Sequence, residues 1–157
     1  MLVKATEEHI SELVEISKAA FDSDIEVGAQ KAGGPPEYDS EAWHIEMMNQ
    51  GHLFAAIIEN MVVGGAILFR DERCSSFMYV GRIFIAPRFF RRGYGTQLME
   101  QIEAMNPDVT MWCLDTPVWN TRTNRFYKKL GYAEKSRDDE MVYYQKNMCA
   151  VESRRSF

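Results

Sequence analysis

What this 157-residue chain has little of narrows its class before any motif is read. It has only three cysteines, Cys74, Cys113 and Cys149, an odd count without metal-ligand spacing. Neither a disulfide framework nor a metal site is therefore expected, and reduced intracellular thiols are. Cys113, inside the apolar run Val109–Leu114, reads as a small packed hydrophobe. No apolar run is long enough to span a bilayer, and no basic-then-apolar leader follows Met1. The expectation is a cytoplasmic protein with no membrane partner. Positive charge is also scarce, with 18 Lys and Arg against 23 Asp and Glu and a net charge of −5. Binding a phosphate backbone calls for a basic face, so no nucleic-acid partner is expected. No repeat or low-complexity tract divides the sequence. Its length, with 46% hydrophobic and 26% charged residues, suits one domain with a sizeable core.

Periodicity gives the order of elements. Leu2–Thr6 reads as a strand, and Thr6 caps a helix with Glu7 and Glu8 in its first turn and Ile10, Leu13, Val14 and Phe21 on one face. Asp22–Pro36, with Gly28, Gly33, Gly34, Pro35 and Pro36, reads as a long loop. Asp39 or Ser40 caps a second helix that turns Trp43, Met47 and Met48 inward and ends at Gln50-Gly51. Residues 53–58 and 61–69 form strands about a tight Glu59-Asn60 turn, and residues 76–85 a third strand. Helix 95–105, strand 109–114 and helix 120–130 follow, then a hairpin of 132–135 with 141–146. Strands on both sides of a central helix predict an α/β (α+β) layered domain with a mixed sheet. The domain spans 1–148, and 149–157 reads as a loose tail.

The most informative segment is Arg91-Arg92-Gly93-Tyr94-Gly95-Thr96, between the strand ending Ile83-Phe84-Ile85 and a helix. Two glycines there leave backbone N–H groups uncovered in front of a helix N-terminus, a docking site for phosphate or pyrophosphate. Leu98 stands where a dinucleotide fingerprint needs its third glycine, and no Gly-Lys-Ser/Thr of a nucleotide-triphosphate loop is present. A second motif is Asn120, then Phe126-Tyr127 with the tyrosine seven residues on, then Leu130-Gly131-Tyr132.

Together the two motifs resemble the GNAT superfamily of acetyl-CoA-dependent N-acyltransferases, over nearly the whole chain to about Met148. The resemblance implies a sheet of about six or seven mostly antiparallel strands, flanked by about four helices. Its fourth and fifth strands, here about 77–86 and 109–115, would splay to admit the pantetheine arm. It implies acetyl-CoA as cofactor, coenzyme A as product and no metal. The pyrophosphate would lie on the amides of Arg91, Arg92, Gly93, Tyr94, Gly95 and Thr96. The pantetheine arm and thioester would meet the backbone of Ile83, Phe84 and Ile85, with Asn120 beside the arm; the residues alone also read Asn120 as a helix N-cap, and the two roles are compatible. One departure is Phe90, where the family commonly has Gln or Arg. Relatives are often dimers, so a homodimer is among the assemblies implied.

Tyr127, by the same resemblance, stands near the cofactor sulfur as general acid, while the residues alone also allow a core tyrosine beside Phe126. Amines near pKa 10 must shed a proton before attack. The fourth strand, where relatives carry a carboxylate, has none between Met78 and Ala86. Asp115 is therefore the candidate base, with a plain turn hydrogen bond as its other reading. Candidate acceptor-binding residues are Asp22, Tyr38, Asp39, His44 and Trp119. Asp22, Asp24, Glu26 and Asp39, edged by Tyr38 and Trp43, form either a mouth for a cationic amine or a solvated acidic loop. His44 is either a packing histidine or an alternative base, and Trp119 either core or pocket wall. The expected function is acetyl transfer to a primary amine of a small molecule. A protein N-terminus or lysine is the alternative acceptor, and an acyl-CoA sensor without turnover the alternative class.

Overall fold

Glu59 and Asn60 both adopt positive φ, 52° and 64°, as a two-residue type I′ turn requires. They join β2 (Leu53–Ile58) to β3 (Met61–Arg70) as the sequence indicates. A computed structural model describes residues 1–148, and the anticipated tail lies outside the described residues. In addition to that hairpin it contains β1 (Leu2–Lys4), β4 (Phe77–Ile85), β5 (Met111–Pro117), β6 (Ala133–Arg137) and β7 (Met141–Asn147). The helices are α1 (Glu7–Asp22), α2 (Glu41–Asn49), α3 (Tyr94–Met105) and α4 (Thr121–Lys129).

These strands make one seven-stranded sheet in the order β1-β2-β3-β4-β5-β7-β6. Every neighbouring pair is antiparallel except β4 and β5, which run parallel because the chain crosses back through α3. Local chemistry fixes the helix starts. The Ser40 hydroxyl accepts the Trp43 N–H at 3.1 Å and opens α2. The Asn120 side chain accepts the Thr123 N–H at 3.0 Å and opens α4. Several boundaries differ from the sequence reading. Ser23–Val27 is a 3-10 turn rather than open loop. The fifth strand starts at Met111, because the Val109 N–H is drawn into the turn after α3 by the Asn106 carbonyl.

The sheet is incomplete at its centre. β4 and β5 pair only at Phe77↔Met111, Met78↔Trp112 and Tyr79↔Cys113. Beyond those pairs β4 stays with β3 as far as Gly64↔Ile85, and β5 stays with β7 as far as Pro117↔Met141. Each strand thus follows its outer neighbour and the two part. α1 and α2 cover the face carrying Phe84, whose ring packs with Phe21 and His44. On the other face of β5, the Thr116 and Thr123 hydroxyls are 2.5 Å apart, which sets α4 against the strand.

Candidate active site

The head of α3 is built from backbone. Arg91 and Gly93 take positive φ, 65° and 77°, and Gly93 is the helix N-cap without a side chain to cap it. A Cβ placed on Gly93 would have no atom within 4 Å, so the space in front of the helix is open. The first bond into the helix runs from the Gln97 N–H to the Gly93 carbonyl at 3.0 Å. The amides of Tyr94, Gly95 and Thr96 therefore have no intrahelical partner. Those of Arg91, Arg92 and Gly93 donate to nothing among the described residues. Phe90 leaves no side-chain donor at its position, but the Arg122 guanidinium lies 4.5 Å over its ring. Arg122 is held there by Asp24 at 3.0 Å and by the Ser23 hydroxyl at 3.2 Å. Burial raises the Asp24 pKa, and Arg122 and Asn120 oppose that rise.

From this loop the parted strands lead inward. The Ala86 N–H donates to the Val63 carbonyl at 2.9 Å. Peptide groups alternate along a strand, so Phe84 also turns its backbone to β3, while Ile83 and Ile85 present theirs to the gap. This corrects the expectation for Phe84, whose backbone is spent on Gly65 and whose ring faces α1.

Tyr127 is buried on α4 against Phe126, Tyr132 and Tyr144. Its hydroxyl bonds to no described residue, yet it is not one of the sealed, unpartnered polar atoms. Burial first, and then the Asp115 carboxylate with neighbouring Tyr79 and Asp24, push its pKa well above the ordinary tyrosine value. Asn120, also buried, spends its side-chain oxygen on capping α4. Asp115 faces away from α4, where it accepts the Tyr79 hydroxyl at 3.0 Å. Burial and the Asp115 carboxylate raise the Tyr79 pKa in turn, so Tyr79 remains a donor to Asp115.

The proposed acceptor residues do not form one cluster. Asp22 is occupied by Lys18 at 2.6 Å and by the Tyr38 hydroxyl at 2.7 Å, which holds its pKa low. Asp39 is exposed. His44 is fully enclosed, its Nδ1 2.6 Å from the Ser40 carbonyl and its ring between Trp43 and Phe84. Burial lowers its pKa, and it is a core residue rather than a wall of an open site. Trp119 is 41% exposed, and its carbonyl lies against Gly28 of the α1–α2 connection. Sequence reasoning missed Tyr79 and Arg82, and the link that Arg122 makes. Tyr79 fixes Asp115, Arg122 links the α1–α2 connection to the phosphate loop, and Arg82 stands on the parted stretch of β4. Only the register of β4 against β5 could have paired Tyr79 with Asp115.

Residues 12–132 match the family model described as the acetyltransferase (GNAT) family. The chain belongs to that family. A GNAT acetyltransferase uses acetyl-CoA, and the open amides at the α3 head, continued by the Ile83 and Ile85 peptide groups, fit its diphosphate and arm. No curated protein is close enough in sequence to match. Among solved structures, the fold is similar to a PaiA N-acetyltransferase from Thermoplasma acidophilum in complex with coenzyme A. That likeness has a TM-score of 0.79 at 14% identity and covers 94% of this chain and 98% of the other. An acetyltransferase from Thermus thermophilus has a TM-score of 0.76 at 14% identity, covering 94% and 96%. Ard1 from Thermoplasma volcanium has 0.74 at 16%, covering 94% and 96%. These likenesses show the fold alone. Among the described residues no group of three His, Cys, Asp or Glu side chains is placed to hold a metal, and no helix is long and apolar enough to cross a membrane.

Proposed function

We propose that this protein transfers the acetyl group of acetyl-CoA to a primary amine of a small molecule, by direct attack with both substrates bound. The parting of β4 from β5 after Tyr79↔Cys113 carries the reading. It leaves a channel with unpaired amides at one end and the Tyr79–Asp115 pair beside its closed end. Support for a small acceptor comes from the α1–α2 connection. It reaches Arg122 through Asp24, Trp119 through Gly28, and Arg82 through the Pro36 carbonyl. A segment tied to both β4 and α4 favours a compact acceptor over an extended polypeptide.

Acetyl-CoA supplies an activated carbonyl and a thiolate leaving group. The peptide groups of Ile83 and Ile85 align the arm, and the amides of Arg91 to Thr96 hold the diphosphate. Asp115, kept in place by the Tyr79 hydroxyl, accepts a proton that the acceptor ammonium sheds. The amine loses a second proton as the amide forms, sulfur gains one, and the balance releases one to solvent. Tyr127 acts at the sulfur. Its raised pKa makes full proton loss to a thiolate of ordinary pKa, about 8.5, uphill, so it stabilises that charge by hydrogen bonding.

Thiol release from acetyl-CoA across a panel of small amines tests the assignment. Turnover with at least one amine is expected, and Asp115→Asn should lower kcat/KM at neutral pH more than Tyr79→Phe does. Coenzyme A binding without turnover on any amine would leave a sensor. Turnover confined to peptides would move the acceptor to protein.

A further inference from the structure

Arg82 is a cation that the proposed reaction does not use, on the part of β4 that has left β5. It is half-buried on the face shared with α2, with its guanidinium 4.2 Å over the Trp43 ring. One terminal nitrogen, Nη2, donates to the Pro36 carbonyl. The other, Nη1, is sealed from solvent and has no partner among the described residues. Enclosing a charged donor without an acceptor is among the costlier defects a fold can carry. Glu37, on the α1–α2 connection, is exposed and acts on Arg82 through its charge alone, without a hydrogen bond. Guanidinium is a planar fork that matches a carboxylate with two parallel donors, and the Trp43 ring already sets its plane.

The position of this donor relates it to the chemistry. The Tyr79 phenol bonds the Asp115 carboxylate and is also within electrostatic reach of Arg82. A fixed anion that receives the amine's proton and a fixed cation thus flank the same tyrosine. Meanwhile Asp22 and Asp24, which would otherwise offer negative charge to a polycation, are paired with Lys18 and Arg122.

We propose that the acceptor is an amine that also bears a carboxylate, the amino group directed to Asp115 and the carboxylate to the unpartnered Nη1 of Arg82. This rests on the N-acetyltransferase reading above and narrows its substrate class to amino acids and related amino carboxylates. Binding requires the Pro35–Tyr38 segment to yield enough for an oxygen to reach Nη1, while the contact with Trp43 stays in place. Burial depresses the pKa of Arg82 without neutralising it, so little solvation is lost when a carboxylate arrives.

The test compares matched amines with and without the carboxylate: L-lysine with cadaverine, L-phenylalanine with phenethylamine, and γ-aminobutyrate with propylamine. Coenzyme A release gives kcat/KM for each in the wild type, Arg82→Gln and Arg82→Lys. One charge-assisted pair corresponds to a preference of about 10- to 150-fold for the better-fitting carboxylate partner. Arg82→Gln should reduce that ratio to near one, chiefly through KM for the amino carboxylate, and Arg82→Lys should restore part of it. Because the ratio is read within each protein, a general loss of folded enzyme cancels. Equal or better use of the decarboxylated amines by the wild type, or a ratio that Arg82→Gln leaves unchanged, overturns the inference and makes Arg82 a clamp for Pro36 only. Turnover on the decarboxylated amines alone would leave the N-acetyltransferase reading standing. Turnover on no amine would remove both.

Discussion

Replacing Tyr127 by phenylalanine removes one oxygen and leaves the ring packed on Phe126, Tyr132 and Tyr144. The hydroxyl bonds to no described residue, so the change breaks no hydrogen bond of the resting protein and should leave its stability almost untouched. What it removes is a donor to charge that develops only as the thiolate departs. A hydrogen bond to a charged group is worth roughly 1.5–3 kcal/mol, and each ~1.4 kcal/mol is a factor of ten in rate. Tyr127→Phe should therefore lower kcat by about 10- to 150-fold with KM for acetyl-CoA nearly constant. Stopped-flow single turnovers of saturated enzyme, which isolate the acyl-transfer step from product release, measure this directly. The pH profile supplies a second check. Burial and the nearby Asp115 and Asp24 carboxylates hold the phenol protonated beyond the ordinary tyrosine pKa of about 10. The wild type should therefore show no alkaline fall below pH 10 that disappears in the variant. An unchanged single-turnover rate, or a Tyr127-dependent fall near pH 8 or 9, would refute the reasoning.

Other expectations follow from the same geometry. Gly93→Ala puts an L side chain at φ 77°, about 1–2 kcal/mol unfavourable. The loop should relax and coenzyme A affinity measured by calorimetry should weaken about 5- to 30-fold; unchanged affinity would separate the loop from the cofactor. A Cβ on Gly64 would come 2.3 Å from the Phe84 carbonyl oxygen. Gly64→Ala should cost roughly 1–3 kcal/mol in urea unfolding because backbone must move. His44 titrates below its unfolded value because it is buried. The unfolded chain then binds the extra proton, so the His44 contribution is whole above about pH 6.5 and lost as acidity increases. His44→Asn should show a shallower loss of stability from pH 7 to pH 5 than the wild type.

How much of this was legible in the sequence depended on the range of the interaction. The Glu59-Asn60 turn, the Ser40 and Asn120 caps and the open head of α3 are set by neighbours within a few residues, and each was readable. The partition of Ile83, Phe84 and Ile85 between gap and sheet was not, because it depends on pairing with β3. Tyr79 meets Asp115 only through the parallel register of two strands separated by a helix. His44 lies beside Trp43 and Met47, which the pattern sent inward. Nothing local indicated that the imidazole would be sealed with them, its proton satisfied by the Ser40 carbonyl. The acidic connection misled in a similar way, since the partners of Asp22 and Asp24 come from α1 and from α4.

The row of free amides along Arg91 to Thr96, continued by those of Ile83 and Ile85, has a consequence for inheritance. Main-chain atoms are common to all residues, so a grip made from them survives the exchange of almost any side chain that preserves the path of the chain. A lineage using it is free to rewrite nearly every letter while retaining its cofactor. Identities of 14–16% alongside TM-scores of 0.74–0.79 show how far the letters differ while the fold stays.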